Sequence, residues 1–242
     1  NTSIQPHINA VEIIYEDEYI FAVNKPNNYL VHHSGYARNL ANEITLLDLL
    51  KTQGFENLYP IHRLDRKTSG IILLAKQKEF VSQFQKLFHK NEIKKTYMAI
   101  VRGFTPKSQI INSPIKIDET DLIKNAETHF KTINTIELDI PVHPYKKSRY
   151  SLVKIEPKTG RMHQIRKHFN KISHPIVGDY KYGDRFHNRM FEQDLNCNYM
   201  LLHAYCLEFK PPYFHKKISL IAQLPNDWLK IFYKFNWHNI SN

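Results

Sequence analysis

Glycine and cysteine are scarce in this chain, with seven and two among 242 residues. The glycines form neither a GxGxxG pattern nor a phosphate loop, which argues against a nucleotide cofactor. Cys197 and Cys206 are spaced as no metal motif is. Both sit in or beside apolar stretches and read as small core side chains in a reducing cytosol. Long apolar runs are missing as well. The longest, such as Ile71 to Ala75, fall far short of a membrane span. The start shows no signal-peptide pattern; without an initiator Met it suggests a processed or trimmed end, and residues 1–10 are expected to be loose. Fourteen histidines invite a metal, yet no HExxH and no carboxylate–histidine cluster appears, so no metal is expected. Acids are the remaining shortage: 23 against 34 Lys and Arg give a net charge of +11.

Such an excess speaks of partners rather than fold, and nucleic acid or an anionic membrane are the usual ones. The charge is concentrated. From His143 to Arg189 there are twelve Lys or Arg and three acids, Glu156, Asp179 and Asp184. Tyr145, Tyr150, Phe169, Tyr180, Tyr182 and Phe186 are mixed in. Cations beside stacking rings suit RNA, whose unpaired bases are read by stacking.

The elements read as a mixture. Glu12–Tyr15 and Tyr19–Asn24 form a hairpin ending at Lys25-Pro26. Thr45 caps a helix to Lys51, with Asp48 as the acidic half of a capping box. Lys78–His89 places Phe80, Val81, Phe84, Leu87 and Phe88 on one helical face. Lys95–Val101, Ile110–Ile117, Glu127–Ile136, Tyr150–Glu156, Tyr199–Phe209 and Ile218–Leu224 read as strands, with a loop over 137–149. A helix is expected over Arg161–Lys171, with Met162, Ile165, Phe169 and Ile172 inward. Another is capped by Asp227 and carries Trp228, Ile231, Phe232 and Phe235. Strands outnumber helices without strict alternation, so the expected class is α+β with a mixed, mostly antiparallel sheet. Residues 11–242 are expected to form a single domain.

Three constellations carry chemistry. In His62-Arg63-Leu64-Asp65-Arg66-Lys67-Thr68-Ser69-Gly70 one carboxylate, Asp65, stands among cations and before a buried run. It is either a nucleophile or base, or a turn residue capping the backbone at Thr68 or Ser69. In Thr159-Gly160-Arg161-Met162-His163-Gln164-Ile165-Arg166-Lys167-His168, Arg166 points toward the core side, where a guanidinium calls for a carboxylate. Asp65 is a candidate partner; the alternative, an exposed arginine on phosphate, suits Arg161 and Lys167 better. Tyr97 shares a strand face with Ala99 and Val101 and is either a core tyrosine or a functional ring.

Together these segments resemble the pseudouridine synthases of the large-ribosomal-RNA and tRNA class, whose motif is HRLDxxTSG. The likeness runs from about Val11 to Phe235. It includes Asn24-Lys25-Pro26, His62 to Gly70, Lys95-Thr96-Tyr97 to Gly103, Lys158 to Arg166, and Leu202-His203-Ala204. The resemblance implies that Asp65 is the catalytic carboxylate, that Tyr97 packs on the target base and that Arg166 pairs with Asp65. It also implies that Arg63 fills the space left by a flipped base. Arg66, Lys67, Arg161, His163, Lys167, Lys181 and Arg185 are the expected further RNA contacts. The chain leaves no room for the S4 RNA-binding module that the family often carries. Gly178 to Asp184, His187-Asn188-Arg189 and Pro141 to Glu156 look like the branch acting on tRNA uridine sixty-five. Lys67 departs from the proline common there, which bears on loop stiffness rather than chemistry. The implied reaction is an isomerisation without metal or cofactor, by a monomeric cytoplasmic enzyme on RNA, most readily tRNA. Ribosomal RNA as substrate, an enzyme that only cleaves the glycosidic bond, and a silent RNA-binding protein are the rival readings.

Overall fold

The computed structural model describes residues 10–33 and 42–238; the expectation for residues 1–10 falls, Ala10 apart, outside them. In chain order the elements are β1 (Glu12–Glu16), β2 (Ile20–Lys25), α1 (Leu46–Thr52), β3 (Tyr59–Pro60), β4 (Ser69–Ala75), α2 (Val81–His89), β5 (Lys94–Arg102), β6 (Ser108–Asn112), β7 (Ile115–Lys116), β8 (Ile123–Lys124), β9 (Glu127–Leu138), β10 (Ser148–Pro157), α3 (Gln164–Lys171), α4 (Arg185–Leu195), β11 (Leu202–Phe209), β12 (Ile218–Ile221) and α5 (Asn226–Lys234).

Ten strands make one sheet in the order β1-β2-β4-β11-β5-β10-β9-β6, with β3 added to β4 and β12 to β11. Among the described residues every pairing in this sheet is antiparallel except β4 with β11. The class is α+β, as the strand-rich pattern implies. The run Ile71 to Ala75, ambiguous in sequence, is a strand with every residue buried. It belongs to a core with Ile20 and Phe21 of β2, Leu46 and Leu50 of α1 and Phe84 of α2. β5 is buried on both faces. Ala99 and Val101 lie under Ile165 and Phe169 of α3, while Met98 and Ile100 face Trp228 and Ile231 of α5. Each of the larger aliphatic and phenylalanine side chains taken from water contributes about 1.5–3 kcal/mol. These contacts hold α3 against the Tyr97 side of the sheet.

The Thr45 capping box forms, with Asp48 N donating to Thr45 Oγ1 at 3.2 Å and Thr45 N to Asp48 Oδ2 at 2.8 Å. Three expectations are corrected and one helix is added. The single strand over Ile110–Ile117 is broken at Ser113-Pro114 into β6 and β7, because proline has no N–H for the ladder. The helix expected from Arg161 starts at Gln164, since His163 adopts a left-handed φ of 55°, and Met162 is consequently 49% exposed rather than inward. Asp227 lies in the first turn of α5, whose N-cap is Pro225. Helix α4 was missed, although Asp184 caps it through the amides of Phe186 and His187 at 2.9 and 3.2 Å.

Candidate active site

Asp65 sits just before the parallel β4–β11 seam of the sheet, where Ser69 pairs with His203 and Gly70 with Ala204. The strands approach so closely there that a Cβ on Gly70, already at φ +122°, would overlap the carbonyl of Ala204. The Ser69 hydroxyl lies 2.7 Å from His203 Nδ1, and His203 Nε2 lies 2.8 Å from the Ala222 carbonyl. A carbonyl only accepts, so Nε2 carries the proton and Ser69 donates to Nδ1. Burial pulls the His203 pKa down to about 4, which keeps this imidazole neutral.

Lys25 supports the loop from below. Its buried ammonium donates to the carbonyls of Pro26 (2.9 Å), Tyr29 (2.9 Å) and Arg66 (3.0 Å), one acceptor for each N–H. Burial draws its pKa down to about 7, against the pull of the Asp65 charge. Asn27 Nδ2 donates to the Lys67 carbonyl at 3.0 Å. The turn itself closes through the backbone, Thr68 N donating to the Asp65 carbonyl at 3.0 Å. The Asp65 carboxylate is therefore not used as a cap and faces α3 instead.

Three groups surround that carboxylate. Arg166 Nη1 lies 3.3 Å from Asp65 Oδ2, and His163 Nε2 lies 3.5 Å from Oδ1. Tyr97 is half-buried on β5, opposite Ala204 of β11 and Ile155 of β10. Burial first, and then the Asp65 charge, push its phenol above the usual range, so the hydroxyl stays protonated. The expected Arg166–Asp65 contact exists, but it is the weaker of two. Arg166 donates from Nε and Nη2 to both oxygens of Asp179 at 2.9 and 2.8 Å, a fork that matches a carboxylate. Asp179 is 1% exposed and also accepts from the amides of Lys181 (3.0 Å) and Tyr182 (3.1 Å). Burial pushes its pKa up, yet the bonds and charge of Arg166 and those amides outweigh it and hold the carboxyl below its ordinary value.

The remaining predicted contacts spread around this centre. Arg63 is exposed. Arg66 pairs with Glu43 at 3.1 Å, and the Lys67 ammonium stands 4.5 Å from the Tyr180 ring centroid. Lys167 and Lys181 share Asp118 at 2.9 and 3.6 Å, and Arg161 donates to the Asn125 carbonyl at 3.0 Å. Arg185 stacks on Phe186 at 4.8 Å. The basic stretch is not one face, however. Lys147 and Arg149 lie at the far end of β10, 3.4 and 2.7 Å from Glu137. His163 is not turned outward: its side chain is 14% exposed and its Nδ1 is 2.9 Å from the Tyr182 hydroxyl. Sequence reasoning missed Asp179, Tyr182, Lys25 and the Ser69–His203 pair as site residues. The available signal was Asp179 following Gly178, whose φ of +84° and close approach to the Tyr199 backbone admit no side chain. Among the described residues no helix is long and apolar enough to cross a membrane.

Two solved human structures have this fold. RNA pseudouridylate synthase domain containing 4 superposes with a TM-score of 0.72 at 22% identity, covering 93% of each chain. RNA pseudouridylate synthase domain containing 1 gives 0.71 at 23% identity, over 89% of this chain and 84% of its own. At the level of sequence, the chain is 35% identical to tRNA pseudouridine synthase C of Haemophilus ducreyi over 237 residues, 94% of this chain and 97% of the relative. It is 34% identical to the protein of that name from Haemophilus influenzae over 240 residues, 95% and 100% of the two. The model of the RNA pseudouridylate synthase family matches residues 19–171, a span that holds Asp65, Tyr97 and Arg166. With the carboxylate, ring and guanidinium gathered at one seam and the match running through all three, the chain belongs to the RNA pseudouridylate synthase family.

Proposed function

We propose that this protein converts one uridine of a tRNA, at position sixty-five, to pseudouridine. Residues 11–242 act as one catalytic unit, a cytoplasmic monomer that needs no cofactor. The N1–C1′ bond of the uridine breaks, the uracil turns, and a C5–C1′ bond forms. C5 loses a proton and N1 gains one, so atoms and electrons balance without an oxidant or a metal. The observation that carries the reading is the Asp65 carboxylate, held between Arg166 and His163 beside the Tyr97 ring. Relatives 33–35% identical over almost the whole chain are named tRNA pseudouridine synthase C, which supports tRNA as substrate.

Asp65 acts on the flipped nucleotide, Tyr97 packs on its base, and Arg166 positions Asp65. Extruding the base costs roughly a few kcal/mol. Arg66, Lys67, Arg161, Lys167, Lys181 and Arg185 offset that with phosphate contacts, and exposed Arg63 enters the gap in the stack. Unmodified tRNA carrying tritium at uridine C5 tests this directly. The wild type should release tritium with pseudouridine mapped to one position, and Asp65→Asn should release none while still binding. Product on ribosomal RNA alone would move the substrate; free uracil would change the reaction; binding without product would make the protein a silent RNA binder.

A further inference from the structure

His163 is the one predicted phosphate contact whose ring points at the catalytic carboxylate. It stands at the N-cap of α3 in the left-handed region, φ 55° and ψ 25°, a conformation uncommon for residues with a side chain but one that histidine adopts more readily than most. The side chain is 14% exposed, too covered to serve as a surface cation. Nε2 approaches Asp65 Oδ1 at 3.5 Å and Nδ1 lies 2.9 Å from the Tyr182 hydroxyl. The two partners set the tautomer. The Asp65 carboxylate only accepts, so the imidazole proton belongs on Nε2, and the Tyr182 hydroxyl, 2.9 Å from Nδ1, donates to it. Nε2 then carries the imidazole N–H and presents it to Asp65. The charged groups facing the ring are Asp65 from the loop before β4, Arg166 and Lys167 from α3, Lys181 from the turn before α4, and Asp118 from the β7–β8 turn. Burial, with the three cations, holds the imidazole below its ordinary pKa against the pull of Asp65, so the neutral form prevails.

We propose that His163 is a positioning residue for Asp65: its Nε2–H fixes Oδ1 while Arg166 fixes Oδ2, with Tyr182 locking the tautomer. This rests on the assignment of Asp65 as the catalytic carboxylate. Rotation of an aspartate about its terminal torsion is broad and nearly two-fold, so one anchor at 3.3 Å does not define the carboxylate plane. A second anchor on the other oxygen does. At 3.5 Å the His163 contact is loose in the free protein, and contacts of this kind tighten when substrate closes the site. The residue thus serves the chemical step rather than RNA affinity.

Single-turnover tritium release from tRNA, with RNA affinity measured separately, tests the proposal. His163→Asn tolerates the left-handed backbone but is too short to reach Asp65. Its rate constant at saturating RNA should fall about 100-fold, the effect of an ångström-scale misplacement, with affinity unchanged. His163→Gln, long enough to return an N–H to Oδ1, should recover part of that loss. Tyr182→Phe keeps the ring contact with His163 and removes only the hydroxyl, and should lose about fivefold, one ordinary net hydrogen bond. Weakened binding with a normal saturated rate in His163→Asn would return the residue to the phosphate-contact role and overturn the proposal. So would wild-type rates in Tyr182→Phe, which decides the matter even where the Asn variant folds poorly. A wild type that makes no pseudouridine on any RNA defeats the catalytic assignment itself, a result distinct from an active enzyme indifferent to His163.

Discussion

Removing one charge from Asp179 is expected to unsettle both the fold and the site. Its carboxylate receives four bonds: Nε and Nη2 of Arg166 at 2.9 and 2.8 Å, and the amides of Lys181 and Tyr182 at 3.0 and 3.1 Å. Asp179→Asn keeps the shape but places an NH2 where an oxygen accepted, against a donor with nothing to give it. Breaking a buried pair by removing one partner costs about 3–5 kcal/mol. Arg166 still has Asp65 at 3.3 Å, so the lower end applies, about 3 kcal/mol. For a chain of this size each kcal/mol moves the melting point by about 2–4 °C, so a drop of roughly 6–12 °C is expected by calorimetry. The guanidinium, no longer forked onto Asp179, turns further toward Asp65, and turnover should fall at unchanged RNA affinity. The charge also sets a pH dependence. The Asp179 pKa is depressed in the fold, so its stabilisation is complete above the unfolded value, near 3.9, and is lost as pH falls through the lower folded value. An Asp179→Asn protein melting within a degree of the wild type at pH 7 would refute the reasoning.

Three further outcomes follow from the same contacts. Gly70→Ala should lose more than about 3 kcal/mol by urea titration, because the new Cβ meets the Ala204 carbonyl and the backbone stands at φ +122°. Lys25→Met leaves the carbonyls of Pro26, Tyr29 and Arg66 without their donor; stability should fall by about 2–4 kcal/mol, and turnover with it, as the Asp65 loop loses its support. His62 and His203 are held neutral by burial, with pKa values near 3 and 4. Both folded values lie below the unfolded value of about 6.5, so the unfolded chain binds more protons and stability is lost between pH 6.5 and 4. Urea midpoints at pH 7.5, 5.5 and 4.5 should decline for the wild type and decline less steeply for His203→Gln, in which the His62 share remains.

Much of the fold was legible because it is local. The capping box at Thr45 and Asp48, the alternation of Lys94–Arg102 and the spacing of Trp228, Ile231 and Phe232 each declare an element within a few residues. The errors fell where local pattern yields to backbone chemistry. Pro114 interrupts an otherwise apolar strand, and His163 in the left-handed region delays α3 by a turn, sending Met162 to solvent. Asp65, Tyr97 and Arg166 were recognisable as a set by resemblance alone, since spacing left each with an ordinary structural explanation.

The sequence by itself determined most of the elements, the strand-rich class and the cationic character. Those follow from side-chain type and from periods of two and 3.6 residues. Partnership was decided only by the tertiary structure. Arg166 and Asp65 are 101 positions apart, and β4, β11 and β5 meet at one seam although their order along the chain is β4, β5, β11. No local rule ranks Asp179 above Asp65 as the partner of Arg166, or turns His163 from the solvent toward a carboxylate. Those choices depend on which loops the sheet brings within about 3–4 Å, the range over which hydrogen bonds and buried charges act.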